Sequence, residues 1–291
     1  MSDYVITWCS TVDLSDELLK ERNIPYASFT FTADGKTYSD DYGKSYPIDK
    51  FYKDIASGMQ PVTSQINVEA YTEMFEPILK QGKDVLHLTL SSGISGTYNS
   101  ANTAASLLND KYENKVHVVD SLCASAGYGL FVIMVKDNQD KGMSLSDNLK
   151  WIEENKTKVI HWFFSTDLSS FIRGGRISKT AGFFAGALQI CPLMCVSDAG
   201  KLEVLEKIRT KKKSEKTVVE KMMAEVGPDY DGYVFISNSA CFDDAKAVAD
   251  MIKESFKNVK EVNIFNIGTV IGTHTGPGTV ATFYFGNKRA V

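Results

Sequence analysis

The 291-residue chain has no long hydrophobic run. Its longest apolar stretch, Tyr128 to Val135, falls far short of the roughly 20 residues that a membrane-spanning helix requires. The segment Met1 to Thr11 lacks the basic and then apolar order of a secretory signal, so a cytoplasmic protein is expected. Positive charge is not in excess either. Lys and Arg number 32 against 36 Asp and Glu, a net charge of −4. That balance gives no reason to expect a nucleic-acid partner. It also disfavours tight docking on anionic membranes and leaves only transient contact open.

Cysteine is sparse: five residues, an odd number, widely spaced. A disulfide framework is therefore not expected. Cys191 and Cys195 share one apolar run without further ligand residues beside them, so a buried structural role is expected. The four histidines, His87, His117, His161 and His274, show no metal-ligand spacing. Neither a Gly-x-Gly-x-x-Gly fingerprint nor a phosphate-binding Walker loop is present. Gly93-Ile94-Ser95-Gly96 is not a nucleophile elbow, because its second glycine comes one position early.

What is present fits a globular chain of two ordinary domains, 43% hydrophobic and 23% charged. Strand and helix patterns alternate through the first half. Tyr4 to Trp8, Asp84 to Leu90 and Lys115 to Asp120 read as buried strands, with helical patterns between and after them. Ala33-Asp34-Gly35-Lys36 is a turn signal for a small hairpin, and Gln60 to Asn67 reads as a polar loop. This predicts an α/β domain, a parallel sheet with flanking helices. Handed crossovers would put the strand C-termini, and the loops Cys9 to Thr11, Ser91 to Thr97 and Asp120-Ser121, on one edge. The second half predicts an α+β domain with a mostly antiparallel sheet. A solvated stretch, Glu153 to Lys158, suggests domains at 1–158 and 159–291.

Three polar segments are candidates for function. Ser91-Ser92-Gly93-Ile94-Ser95-Gly96-Thr97-Tyr98 follows a strand and opens a helix, whose free N–H groups favour an anion. Ordinary capping by Ser95 or Thr97 explains it equally well. Thr63-Ser64-Gln65 precedes a helix and reads as an N-cap region. His274-Thr275-Gly276-Pro277-Gly278-Thr279 places a histidine on a shaped loop.

Together with Gly174-Gly175-Arg176-Ile177 and Arg209-Thr210-Lys211-Lys212-Lys213, these segments, in this order, resemble the DegV family. Its members include the fatty-acid-binding subunits of bacterial fatty acid kinase. The resemblance covers nearly the whole chain. It implies a carrier that performs no chemistry itself and needs no cofactor. Its ligand would be a long-chain fatty acid such as palmitate or oleate, held in a tunnel between the two domains. The carboxylate would be held by Thr63 and Ser95, with Ser92 and His274 nearby. Arg176 and Arg209 would dock an ATP-binding kinase subunit that makes acyl phosphate. Phe183, Phe184, Leu188 and Ile190 are candidates for the tunnel wall, with an ordinary core role as the alternative. The chain departs from the family in having Trp8-Cys9-Ser10-Thr11 where Asp-Ser-Thr is common, and Ile66 after Thr-Ser-Gln where proline is common. A competing reading makes Ser95 and His274 part of a serine-dependent acyl hydrolase or acyltransferase.

Overall fold

The structure is a computed structural model that describes residues 4–178 and 190–291. The first half opens with β1 (Tyr4–Cys9), α1 (Asp16–Arg22), β2 (Tyr26–Ala27), β3 (Thr30–Ala33) and β4 (Lys36–Ser39). It continues with α2 (Ile48–Ala56), β5 (Val62–Ser64), α3 (Val68–Leu79), β6 (Asp84–Thr89), α4 (Thr97–Asn109) and β7 (Val116–Asp120). Two helices, α5 (Ser125–Asp140) and α6 (Leu145–Asn155), complete it.

Strands β2-β1-β6-β7 form a parallel sheet in that order, with Val5 paired to Val85 and Leu86 to His117. The sheet is parallel as expected, and the loops after β1, β6 and β7 share one edge. Ser15 caps α1, accepting the Leu18 N–H at 3.3 Å, and Asn67 caps α3, accepting from Ala70 at 2.9 Å. The hairpin of β3 and β4 turns at Asp34-Gly35, both with positive φ, 48° and 73°. That is the mirror-image two-residue turn whose twist suits a hairpin.

One local expectation changes. Residues 62–64 are not loop: β5 adds to the hairpin in a three-stranded sheet, with Thr63 opposite Phe31. A three-residue strand is too short to show alternation. The solvated stretch at Glu153 to Lys158 is regular in structure. Helix α6 runs through Asn155, and one 3₁₀ turn, Lys156–Lys158, leads directly into the next strand.

That strand is β8 (Val159–Ser165), followed by α7 (Ser169–Arg173), β9 (Leu193–Val196), β10 (Leu202–Glu206) and α8 (Lys211–Val226). Then come β11 (Tyr233–Asn238), α9 (Phe242–Ser255), β12 (Glu261–Asn266), α10 (Thr269–Thr275) and β13 (Thr279–Phe285). The strands form a mixed sheet in the order β10-β9-β8-β13-β11-β12, antiparallel except for the β11–β12 pair.

Period-two alternation sends side chains to opposite faces of this sheet, and both faces are buried. Trp162, Phe164, Ile236, Val280 and Tyr284 pack with Met222 of α8 and Val248 of α9. Phe163, Met194, Phe235, Ala281 and Phe283 join the core of the first half. Helix α5 lies between the two sheets and is buried nearly all round. Gly127 makes this possible: a Cβ there would lie 2.5 Å from His161 Nε2 and 2.6 Å from the Phe283 ring.

Candidate functional site

A cavity of about 450 Å³ lies where the two halves meet. That is within the range of roughly 300–1,000 Å³ typical of ligand pockets. Phe29 and Leu90 from the first half and Phe163, Phe171, Val270 and Phe283 from the second give it an apolar wall. Polar side chains line it too, among them Thr63 on β5, Ser95 in the loop after β6 and His274 on α10.

Thr63 Oγ1 and His274 Nε2 are 2.9 Å apart, within hydrogen-bond distance. Ser95 Oγ accepts the Thr97 N–H at 3.2 Å, which leaves the serine proton free to donate. Ser95 is thus a helix cap and a cavity-lining hydroxyl at once. Helix α4 starts beside it, behind a Gly96 that offers no side-chain cap, so its positive end adds to the attraction for an anion. Gln65 packs on Gly96 and donates from Nε2 to Ser100 Oγ at 3.0 Å. The Thr-Ser-Gln and Ser-Ser-Gly segments are therefore fitted to each other.

His274 is not on a loop. It occupies the last turn of α10, and the helix ends at Gly276, whose φ of 64° favours glycine. The glycine and proline that read as loop are the helix stop. Burial, helped by the nearby Arg176 and Arg173, pushes the imidazole down to about 4, so it is neutral at pH 7. Its Nδ1 meets no hydrogen-bond partner among the described residues.

The other expected residues divide. Arg176 is half-buried and lines the cavity, with Nε donating to the Ile94 carbonyl at 3.0 Å and Nη1 to the Gly174 carbonyl. It belongs to the site more than to a free surface. Arg209 is exposed and lies outside the cavity, bridged to Ile190 by backbone pairing. Ser92 also lies outside. It is exposed and its N–H donates to Asp120 Oδ1 at 3.1 Å, whereas its neighbour Ser91 is buried and donates to the Gly200 carbonyl at 2.8 Å. Of the wall candidates, Phe183, Phe184 and Leu188 fall outside the described residues, and Ile190 does not line the cavity.

Sequence reasoning missed three features. His161 lines the cavity from β8. Its Nε2 accepts the Ala124 N–H at 3.2 Å, so the ring proton sits on Nδ1 and is given to the Val159 carbonyl at 2.9 Å. Burial holds this ring neutral. Asp13 and Asp40 were also missed. Both are buried, and both hold the start of α10: Asp13 Oδ1 accepts the Gly268 N–H at 2.9 Å, and Asp40 Oδ1 accepts from Thr269 Oγ1 at 2.8 Å. The Ser10 hydroxyl donates to Asp40 at 2.7 Å, which gives the altered loop after β1 a polar role. Burial raises the proton affinity of both carboxyls, Asp13 up to about 8.

Comparison with known proteins agrees with this architecture. The DegV family, described as uncharacterised proteins, matches residues 5–287. A DegV domain-containing protein of Clostridium perfringens is 36% identical over 290 residues, 99% of each chain. A DegV family protein of Thermus thermophilus, whose structure is described by its fatty acid binding, superposes with a TM-score of 0.88 at 25% identity, covering 98% of this chain and 100% of that one. The B3 protein of the Streptococcus pneumoniae fatty acid kinase, solved with linoleic acid, shares the fold with a TM-score of 0.84 at 22% identity, covering 99% and 100%. On this fold, these matched residues and this coverage, the chain belongs to the DegV family.

Proposed function

We propose that this chain binds one long-chain fatty acid between its halves and presents the carboxylate to a partner kinase subunit, which converts it to acyl phosphate. The observation that carries the reading is a largely apolar cavity whose lining includes Thr63, Ser95 and His274, with Thr63 and His274 meeting at 2.9 Å. The tail supplies the affinity. At about 0.8 kcal/mol per methylene, some fourteen methylenes offer roughly 11 kcal/mol before entropic costs. The hydroxyls supply orientation: a hydrogen bond to a charged group contributes about 1.5–3 kcal/mol. Thr63 and Ser95 donate to the carboxylate, and neutral His274 donates from Nε2 to Thr63, fixing its hydroxyl.

The fatty acid bound by the Thermus thermophilus relative supports the ligand class. The kinase step follows the family resemblance and the place of the pneumococcal neighbour in a fatty acid kinase. Arg209, exposed on the second half, is the docking residue in this reading. A hydrolase would need a serine in reach of a histidine held by an acid. Here His274 is joined to Thr63, and its other nitrogen lies against Gly174.

Mass spectrometry of an organic extract of the purified protein tests the first step. One long-chain acid per chain is expected, regained after delipidation. A protein that neither carries nor takes up such an acid overturns the reading. Formation of acyl phosphate from the loaded protein, ATP and an ATP-binding kinase subunit tests the second.

A further inference from the structure

Arg289, which follows β13, is 4% exposed, yet no acid is paired with it among the described residues. Its guanidinium donates instead to three carbonyls, those of Val159 at 3.1 Å, Ser197 at 2.8 Å and Lys156 at 3.2 Å. A fourth bond, at 3.3 Å, goes to the sulfur of Cys123 in the first half. A cation is costly to bury without a counter-ion. A residue kept there at that cost should do more than fill space.

Two of these contacts converge on Ser91, a buried residue at the start of the loop that carries Ser95. The first runs through the turn between β9 and β10. The Ser197 carbonyl takes both Arg289 Nη1 and the Gly200 N–H, and the Gly200 carbonyl accepts the Ser91 hydroxyl at 2.8 Å. The fit is close: a Cβ on Gly93 would lie 2.5 Å from the Gly200 oxygen. The second runs through Cys123, whose carbonyl accepts the Ser91 N–H at 3.1 Å. The Ser91 carbonyl in turn accepts the N–H groups of Ile94 and Ser95, both at 3.2 Å. The guanidinium is thus tied from two sides to the residue on which Ser95 turns, and it does so across the seam between the halves.

We propose that Arg289 is a positioning residue for the carboxylate site, acting through Ser91 to aim the Ser95 hydroxyl. The proposal rests on the lipid-carrier reading and deepens it. Arg289 does not line the cavity, so it acts on the ligand only through the loop. A hydrogen bond to a charged head depends on alignment, whereas apolar contact along a tail does not. Loosening the loop should therefore weaken the hold on an acid and leave the hold on a neutral lipid nearly intact.

Palmitate and hexadecanol are the probes, in competition with a fluorescent fatty acid on the delipidated full chain. Arg289→Gln and Ser91→Ala are each expected to weaken palmitate by about threefold to tenfold, with hexadecanol within about twofold. Because both changes break one chain of contacts, the double variant should bind palmitate no worse than the weaker single variant. Arg289→Lys keeps the charge and loses the fork, so it should show a smaller loss of the same kind; it decides the matter if the glutamine variant does not fold. Amide exchange at Ile94 and Ser95 should quicken in these variants while that of α8 stays unchanged. Equal losses for acid and alcohol would mark a merely structural arginine and overturn the proposal. Unchanged palmitate binding, or losses that multiply in the double variant, would overturn it as well and leave the carrier standing. Failure of the unaltered chain to bind palmitate would overturn the carrier and this role together.

Discussion

Gly96 and Gln65 touch so closely that a Cβ at position 96 would lie 2.2 Å from the Gln65 amide oxygen. This contact fixes β5, which carries Thr63, against the turn that carries Ser95. Gly96→Ala keeps an ordinary backbone conformation, at φ −78°, but must displace Gln65 and its bond to Ser100. Gln65 is exposed and can swing aside, so the cost is about that of its bond to Ser100, roughly 0.5–1.5 kcal/mol. A lower melting temperature and weaker palmitate binding are expected together. Unchanged binding would mean that the two segments are not held in register by this contact.

Thr63→Val keeps the shape of the side chain and removes its hydroxyl. Palmitate affinity should fall by about tenfold to a hundredfold, the equivalent of one charged hydrogen bond. Hexadecanol, which carries no charge, should lose much less. Competition with a fluorescent fatty acid measures both. Equal losses for the acid and the alcohol would place the head group elsewhere.

Asp40→Ala should loosen α10 at its start and weaken the site at its end. The change strands the Ser10 and Thr269 hydroxyls, both of which donate to Asp40. Each buried unpaired group costs about 1–3 kcal/mol. Faster hydrogen exchange across residues 269–275 is expected, with reduced palmitate affinity although Asp40 does not line the cavity. Exchange confined to other helices would sink this coupling.

Stability should pass through a maximum near pH 6.5. Native Asp13 holds its proton up to about pH 8, whereas an unfolded aspartate loses it near 4. The native chain binds the extra proton within that window, so stability falls as pH rises toward 8. His274, lowered to about 4, and His87, lowered to about 3, act in the opposite sense. The unfolded chain protonates them below about 6.5 and the native chain does not, so stability falls as pH drops below that value. Above it only the carboxyl slope remains. Asp13→Asn should flatten that limb, and asparagine tolerates the positive φ of 48° at this position. Urea midpoints at pH 6.5 and 8 decide the matter: an alkaline limb as steep in the variant would remove Asp13 as its source.

The parallel sheet was legible because β1, β6 and β7 are apolar runs separated by whole helices. The large sheet was legible as mostly antiparallel from its α+β pattern, with helices between most strands and one hairpin turn at Asp198-Ala199-Gly200. The partners of Asp13 and Asp40 were not, because they stand 255 and 229 residues away. No local pattern marks a carboxyl that will be buried against a distant helix start. His274 was misplaced because Gly276 and Pro277 mark both a loop and a helix stop, and the seven-residue α10 is too short to show a period. Arg176 looked like a surface charge because its acceptors are backbone carbonyls, at Ile94 and Gly174, which sequence does not display.

The core that begins at Tyr4 does not stop at the midpoint of the chain; it continues through Val159, Phe163 and Phe283. Cutting the polypeptide near residue 158 would leave two pieces, each with a raw greasy surface and half a container. The intact molecule should instead melt in one step. Whatever fills the space between its halves should then act as a keystone, raising the melting point of the whole.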